Sequence, residues 1–375
     1  MRSRRFVLTV LALLGLLHLY IGLRILPALP WNNAWQALGA VVLILSCALI
    51  PAGLTGRSRA TDHLTWAGLL LMGLFSSLLV FTFLRDLALG LTALFASGAT
   101  WHAQLAEKTA LAVVYGALFV TLIGFLNARR LARIVDVDVP IKNLPIGLDG
   151  FTIAQISDIH VGPTIKRGYL DAIVDAVNTL GADLVAVTGD LVDGSVEKLA
   201  PHTQPLSRLN ARYGSYFVTG NHEYYSGAHA WIAEVERLGL RVLKNAHVVI
   251  EHNGSAIVIA GITDYSAHLF DPLHRSDPHA AVAGAPETTR ILLAHQPRSA
   301  FAASEAGYDL QISGHTHGGQ FWPWNHFVRF QQPFTAGLRS INGLLVYISR
   351  GTGYWGPPNR FGAPSEITRL RLIRA

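Results

Sequence analysis

Phe151-Thr152-Ile153-Ala154-Gln155-Ile156-Ser157-Asp158-Ile159-His160 is the stretch on which the fold turns. Its first six residues read as a short β-strand, and an acid and an imidazole follow at once. Four more clusters repeat that arrangement: Gly189-Asp190-Leu191-Val192-Asp193, Gly220-Asn221-His222-Glu223, Ala294-His295-Gln296-Pro297 and Gly314-His315-Thr316-His317. Each stands just after a candidate strand, at residues 184–188, 216–218, 291–293 and 310–312. Loops at one edge of a sheet can meet at a point although they are far apart in sequence.

Working outward, further strands are expected at residues 256–260, 344–348 and 366–372, and helices at about 167–180 and 228–238. Alternating strands and helices predict a layered α/β core over residues 151–375. Residues 131–150 read as a polar connector broken by Pro140, Pro145 and Gly147. No internal repeat or low-complexity tract is visible.

The first 130 residues are different. Hydrophobic residues make up 51% of the chain and charged ones 14%, too apolar for an ordinary soluble protein. Four apolar stretches, at about 6–26, 35–54, 64–84 and 109–126, approach the roughly 20 residues of a spanning helix. The shorter run 87–96 reads as interfacial or re-entrant. Residues 1–130 are therefore expected to form a transmembrane helical anchor.

Charge supports this division. Residues 1–135 carry eleven Lys/Arg against three Asp/Glu, and residues 136–375 carry nineteen against twenty-one. The net +6 thus flanks the spans, and the second half lacks the basic footprint of a nucleic-acid binder. Arg2, Arg4, Arg5, Arg57, Arg59, Arg129, Arg130 and Arg133 fall on one side, and Arg24, Arg85 and Lys108 on the other. The positive-inside rule places both termini in the cytoplasm. A competing reading makes Ser3-Arg4-Arg5-Phe6 part of a twin-arginine export signal; the later arginine clusters fit a plain anchor better. The single cysteine, Cys47, lies in an apolar run and excludes a disulfide framework or thiolate metal site.

Taken singly the clusters are weak signals, since Asp-x-His also occurs at Asp277-Pro278-His279. Together they place aspartates, an asparagine and five histidines at strand ends. Such a set is costly to bury without compensating positive charge. Imidazole and carboxylate ligands suit Mn, Fe, Zn or Ni. A carboxylate bridging two ions roughly 3.5–4 Å apart is the arrangement used for in-line phosphoryl displacement.

The order DIH, GDLVD, GNHE, AHQP, GHTH resembles the calcineurin-like metallophosphoesterases over residues 151–375. The GHTHGGQ extension, SRGTG at 349–353 and PSEIT at 364–368 are similar to a bacterial membrane-associated branch. The resemblance implies a two-sheet α/β/β/α sandwich behind a bundle of about four transmembrane helices. It implies that Asp158, His160 and His317 hold one metal, that Asn221, His295 and His315 hold the other, and that Asp190 bridges them. It gives His222 the role of acid or electrostatic partner of the leaving group. The cofactor is two divalent ions, with Mn favoured, and the reaction is hydrolysis of a phosphate ester or pyrophosphate. The expected location is the bacterial inner membrane, with a cytoplasmic catalytic domain, and no obligate protein partner is expected.

Other residues carry two readings each. Asp193 and Glu223 either orient ligands or cap turns. Arg350 either reaches a phosphate or makes a surface salt bridge. Trp322 and Trp324, with Phe327, Phe330 and Phe334, either guide the apolar part of a lipid-linked substrate or pack the core. His247, His252, His268, His274 and His279 read as exposed loop residues. Two rival functions are a metal-bound interaction module without catalysis and a membrane sensor or transporter; His18 is the one intramembrane residue that hints at the latter.

Overall fold

A computed structural model describes residues 4–55, 62–95 and 99–375. Arg2, Ser3, Arg57, Arg59 and Ala96 lie outside the described residues. The chain forms two compact units. One comprises Met1–Leu126 with Gly356–Phe361, the other Asn127–Trp355 with Gly362–Ala375.

The first unit contains α1 (Arg4–Ile25), α2 (Asn33–Thr55), α3 (Asp62–Phe95) and most of α4 (Ala99–Arg129). All four are long and apolar enough to cross a membrane. Leu13, Leu16, Leu23, Ile44, Leu91 and Phe119 are among many large apolar side chains exposed on them. Such surfaces require an apolar solvent. The run from Leu87, expected as a separate interfacial piece, instead continues α3 to Phe95. No proline interrupts it, and one glycine, Gly90, is too weak a breaker to end a helix. Arg85, expected in a loop, consequently lies inside α3 with Asp86 beside it. Arg85 donates to Asp86, Thr109 and the carbonyls of Arg24 and Ala106, and Arg24 and Tyr20 also bond Asp86. His18 bonds Ser46 and the Leu14 carbonyl and stacks on Phe75, so its polar atoms have partners in the bundle.

The second unit holds two six-stranded sheets. The first sheet contains β1 (Arg133–Ile141), β2 (Thr152–Ile156), β3 (Leu184–Val187), β4 (Ser215–Phe217), β5 (Arg241–Val242) and, at the far end of the chain, β12 (Glu366–Arg374). Its order is β1-β12-β2-β3-β4-β5. The second contains β6 (Ala246–His252), β7 (Ser255–Gly261), β8 (Thr289–Leu293), β9 (Leu310–Ser313), β10 (Gly337–Ile341) and β11 (Leu344–Ile348), in the order β10-β11-β9-β8-β7-β6.

Residues 131–150, read from sequence as a connector, hold β1. Its alternation places Asp136 and Asp138 on one face, where they pair with Arg369 and Arg371 of the parallel strand β12. The partner strand lies more than two hundred residues away, so nothing local announces the pairing. Strands β5, β6 and β10 were also not anticipated. His247 and His252 therefore belong to β6 rather than to loops, and His252 is buried against Tyr213.

Ile153, Leu184 and Ala186 of the first sheet pack with Ile257, Ile259, Ile291, Leu293 and Ile312 of the second, forming the layer between the sheets. The opposite face of the first sheet, through Ala154, Ile156, Val185 and Val187, packs on Leu170, Ile173, Val174 and Val177 of α5 (Arg167–Asn178). A short helix α6 (Val196–Thr203) follows β3; α7 (Asn221–Ser226) and α8 (Ala228–Arg237) follow β4. Trp231 and Val235 of α8 join that outer layer. Ala260, Leu292 and Val346 of the second sheet pack outward on Ala281, Ala300 and Ala303. The order of layers is α/β/β/α, as expected. Strands β2 to β4 run parallel, and so do β7 to β9. Within each set the chain therefore leaves the strands at one common edge, and the five clusters follow there.

Candidate metal centre

Three of the five clusters leave their strands in a backbone conformation that side chains rarely adopt. Asp158, His160, Asp190, His315 and His317 all have positive φ, between 52° and 70°. Non-glycine residues are strained there, and such strain gathers at functional sites. Glycines supply the close approach. A Cβ on Gly314 would collide with Ser157 Oγ and Asp158 Oδ2, and one on Gly220 would collide with Asp190 Oδ1.

The side chains converge in two groups. Asp158, His160 and His317 offer ligand atoms within 4.8 Å of one another, and so do Asp190, His295 and His315. In the first group His160 Nε2 faces His317 Nε2 at 3.1 Å, and His317 Nε2 lies 3.4 Å from Asp158 Oδ1. In the second, His295 Nε2 faces His315 Nδ1 at 3.2 Å and Asp190 Oδ2 at 3.1 Å. His295 Nδ1 lies 2.8 Å from the Thr188 carbonyl, which needs a proton on that nitrogen and leaves Nε2 as the ligating atom. Asp190 Oδ2 is also 3.9 Å from His160 Nε2, between the two groups. Asn221 Oδ1 is buried without a hydrogen-bond partner. Facing imidazole lone pairs, an orphaned amide oxygen and two buried carboxylates form a donor set that fits a pair of divalent ions.

At Asp190 and His295 burial and neighbouring charge pull in opposite directions. Burial opposes charge on Asp190, but His295, His222 and His160 around it hold its carboxyl well below the usual range. Burial likewise opposes a charge on His295, yet Asp190 holds its imidazole well above the ordinary value. Asp158 is pushed up by burial. His315 is pushed down to about 3, by burial first and His295 second, so it is neutral and able to ligate.

A polar frame supports these groups. Asp193 Oδ1 accepts from His222 Nδ1 at 2.6 Å and from His160 Nδ1 at 3.3 Å. It therefore orients two rings, and the turn-cap alternative is set aside. His222 Nε2 then lies 3.9 Å from Asp190 Oδ2, and Tyr225 and Trp355 flank the ring with centroids at 5.1 and 5.8 Å. Glu223 is fully buried. Its carboxylate accepts from the backbone N–H groups of Gly220, Asp190 and Leu191 at 2.6, 3.0 and 2.8 Å. Burial beside Asp190 pushes the Glu223 carboxyl up to about 8, against the pull of those donors. The signal was in the sequence, since Glu223 is the third residue of α7, where a glutamate side chain can reach back to accept from the N–H of the N-cap residue, here Gly220.

Asp264 went unremarked in the sequence. It follows β7 as the other acids follow their strands, is buried, and accepts from Gln296 Nε2 and from Ser266. Arg350 donates to the buried Glu366 at 2.9 Å and packs beside Gly318, the residue after His317. Trp322 is half-buried, and Trp324, Phe327 and Phe330 form an exposed row with ring centroids 5.9 and 6.3 Å apart. Core packing accounts for Phe321 and Phe334 but not for that row.

Comparison with known proteins agrees with the geometry. Residues 151–319 match the model of the calcineurin-like phosphoesterase family. A "Transmembrane protein with metallophosphoesterase domain" of Danio rerio is 34% identical, over 97% of this chain and 88% of the relative. An uncharacterized metallophosphoesterase of Helicobacter pylori is 38% identical over 62% of this chain and 64% of its own length. Similar sequences thus come from animals as well as bacteria. Among solved structures, the Haemophilus influenzae NAD nucleotidase aligns with a TM-score of 0.40 and 17% identity, over 54% of this chain and 45% of that one.

Proposed function

This chain belongs to the calcineurin-like metallophosphoesterase family, and from that premise we propose that it hydrolyses a phosphodiester or pyrophosphate carried on an apolar group at the membrane. That it is a metal-dependent phosphoesterase with membrane-spanning helices follows from family and sequence alone. The ligand roles, the metal and the substrate are the proposal. Asp158, His160 and His317 hold one ion, Asn221, His295 and His315 the other, and Asp190 serves both. When bound, two divalent ions neutralise phosphate oxygens and acidify water; Mn²⁺ is the favoured pair.

The residues of the chain do the rest. Asn221 ligates through a neutral oxygen and adds no negative charge where an anionic phosphate approaches. Asp193 holds the Nδ1 proton of His222 and so directs Nε2 toward the centre, where a proton on that atom can pass to the leaving oxygen. Tyr225 and Trp355 limit the space around that ring. The observation carrying the reading is Asp190 Oδ2, with three imidazole Nε2 atoms between 3.1 and 3.9 Å around it. A catalytically inert module would have no need of His222 held in that position.

The apolar group is supported by the exposed row Trp324, Phe327 and Phe330, a few residues beyond His317. Four spans in the same chain tether the catalytic unit to a bilayer. The arginine distribution favours the cytoplasmic face of an inner membrane. A lipid-linked nucleotide diphosphate has the required chemistry. The test compares kcat/KM for long-chain and short-chain versions of one phosphodiester with Mn²⁺, in wild type and in Trp324→Ala/Phe327→Ala. Wild type should prefer the long chain, and the variant should lose that preference. Equal kcat/KM for both chain lengths in wild type would remove the lipid substrate and leave the metal chemistry standing.

A further inference from the structure

A second group of ligating side chains lies outside the dinuclear centre. His229 stands in the first turn of α8, and Asp271 and His274 in the segment after β7. Their ligand atoms lie within 4.8 Å of one another. Asp271 Oδ1 is taken by the backbone N–H of Leu273 at 2.9 Å. Its other oxygen, Oδ2, faces both imidazoles: His229 Nε2 at 3.0 Å and His274 Nε2 at 4.0 Å. The second distance is too long for a hydrogen bond. Two ligands of one tetrahedral zinc, each about 2.1 Å from the ion, stand about 3.4 Å apart, and the two observed spacings bracket that figure.

The remaining nitrogen of His274 is occupied as a metal-bound histidine requires. Nδ1 lies 2.9 Å from the Tyr224 hydroxyl, which fixes the ring and turns Nε2 toward Asp271. Two histidines and a carboxylate, with a fourth position open to water, form a zinc-type donor set. We propose that His229, Asp271 and His274 bind a third metal ion, of the Zn²⁺ class, separate from the dinuclear centre. The ion joins the segment after β7 to the start of α8. It thereby braces α7, whose first residues are Asn221 and His222, through Tyr224 and the contacts of Tyr224 and Tyr225 with Phe270. The inference does not depend on the roles proposed for the other ligands.

The test is a metal count on the full-length protein in detergent, stripped with chelator, reloaded with Zn²⁺ and desalted. Wild type should hold about three ions per chain, His229→Ala about two, and Asp190→Ala about one, the ion of the new site. His229→Cys should restore the ion, because a thiolate is also a zinc ligand. The His229 side chain is 75% exposed, so its replacement spares the fold. Equal counts in wild type and His229→Ala would overturn the inference and leave an ion pair only. If the dinuclear reading fails instead, wild type holds about one ion and His229→Ala none, so the two failures are distinguishable.

Discussion

Glu223 offers the sharpest test of how the centre is built. Replacing it with Ala strands three buried N–H groups, those of Gly220, Asp190 and Leu191, which now share one carboxylate. An unsatisfied buried group costs about 1–3 kcal/mol, and neighbouring losses add incompletely, so about 3–6 kcal/mol is expected. Replacing it with Gln is milder. The amide oxygen can keep the pair from Gly220 and Asp190 that Oε2 now accepts, while the amide NH₂ meets the Leu191 donor. One lost bond costs about 1–3 kcal/mol. For a domain of this size each kcal/mol moves Tm by about 2–4 °C. Glu223→Gln should therefore melt about 2–12 °C lower, and Glu223→Ala about 6–24 °C lower. Thermal melts of the detergent-solubilised protein, followed by tryptophan fluorescence, read this directly. The same two proteins should need more Mn²⁺ for half-maximal activity, in the same order, because the Asp190 backbone is one of the three donors. A Glu223→Ala protein that melts with wild type, or a Gln variant worse than Ala, would refute the reasoning.

Two further outcomes follow from the centre and from the spans. His222→Ala should keep its metals and lower kcat by on the order of 10²–10⁴, with much of the loss recovered on a substrate whose leaving group has a low pKa; metal analysis beside kinetics checks both, and an emptied site would make His222 a ligand. A reporter fused to the C-terminus should register in the cytoplasm, and strong activity of a periplasm-only reporter would reverse the topology.

Much of the centre was legible because its chemistry is written in contiguous words. Asp158 and His160 share one cluster, as do Asn221, His222 and Glu223, and each follows a strand recognisable from its own residues. Glu223 was half-legible. Its place as third residue of a helix marks a cap, but that the same carboxylate also gathers the backbone of Asp190 and Leu191 is a contact across more than thirty residues. Asp193 was ambiguous for the same reason, since a turn acid and a carboxylate shared by two histidines look alike until the rings are placed. The aromatic tail after His317 divided: Phe321 went inward and Trp324, Phe327 and Phe330 outward, a partition set by packing and not by residue type.

The sequence by itself determined the membrane-spanning half, the α/β half and which residues gather at the candidate centre. Hydrophobic length and strand-end polarity are local properties, carried by neighbours in the chain. Tertiary structure decided the rest. It made β1 a strand by pairing it with β12 at the other end of the chain, and it carried Arg85 into α3 rather than a loop. It also brought His229 to Asp271 and His274, more than forty residues on. Register between distant strands and the meeting of side chains from separate loops depend on how whole layers pack, and no window of sequence contains that information.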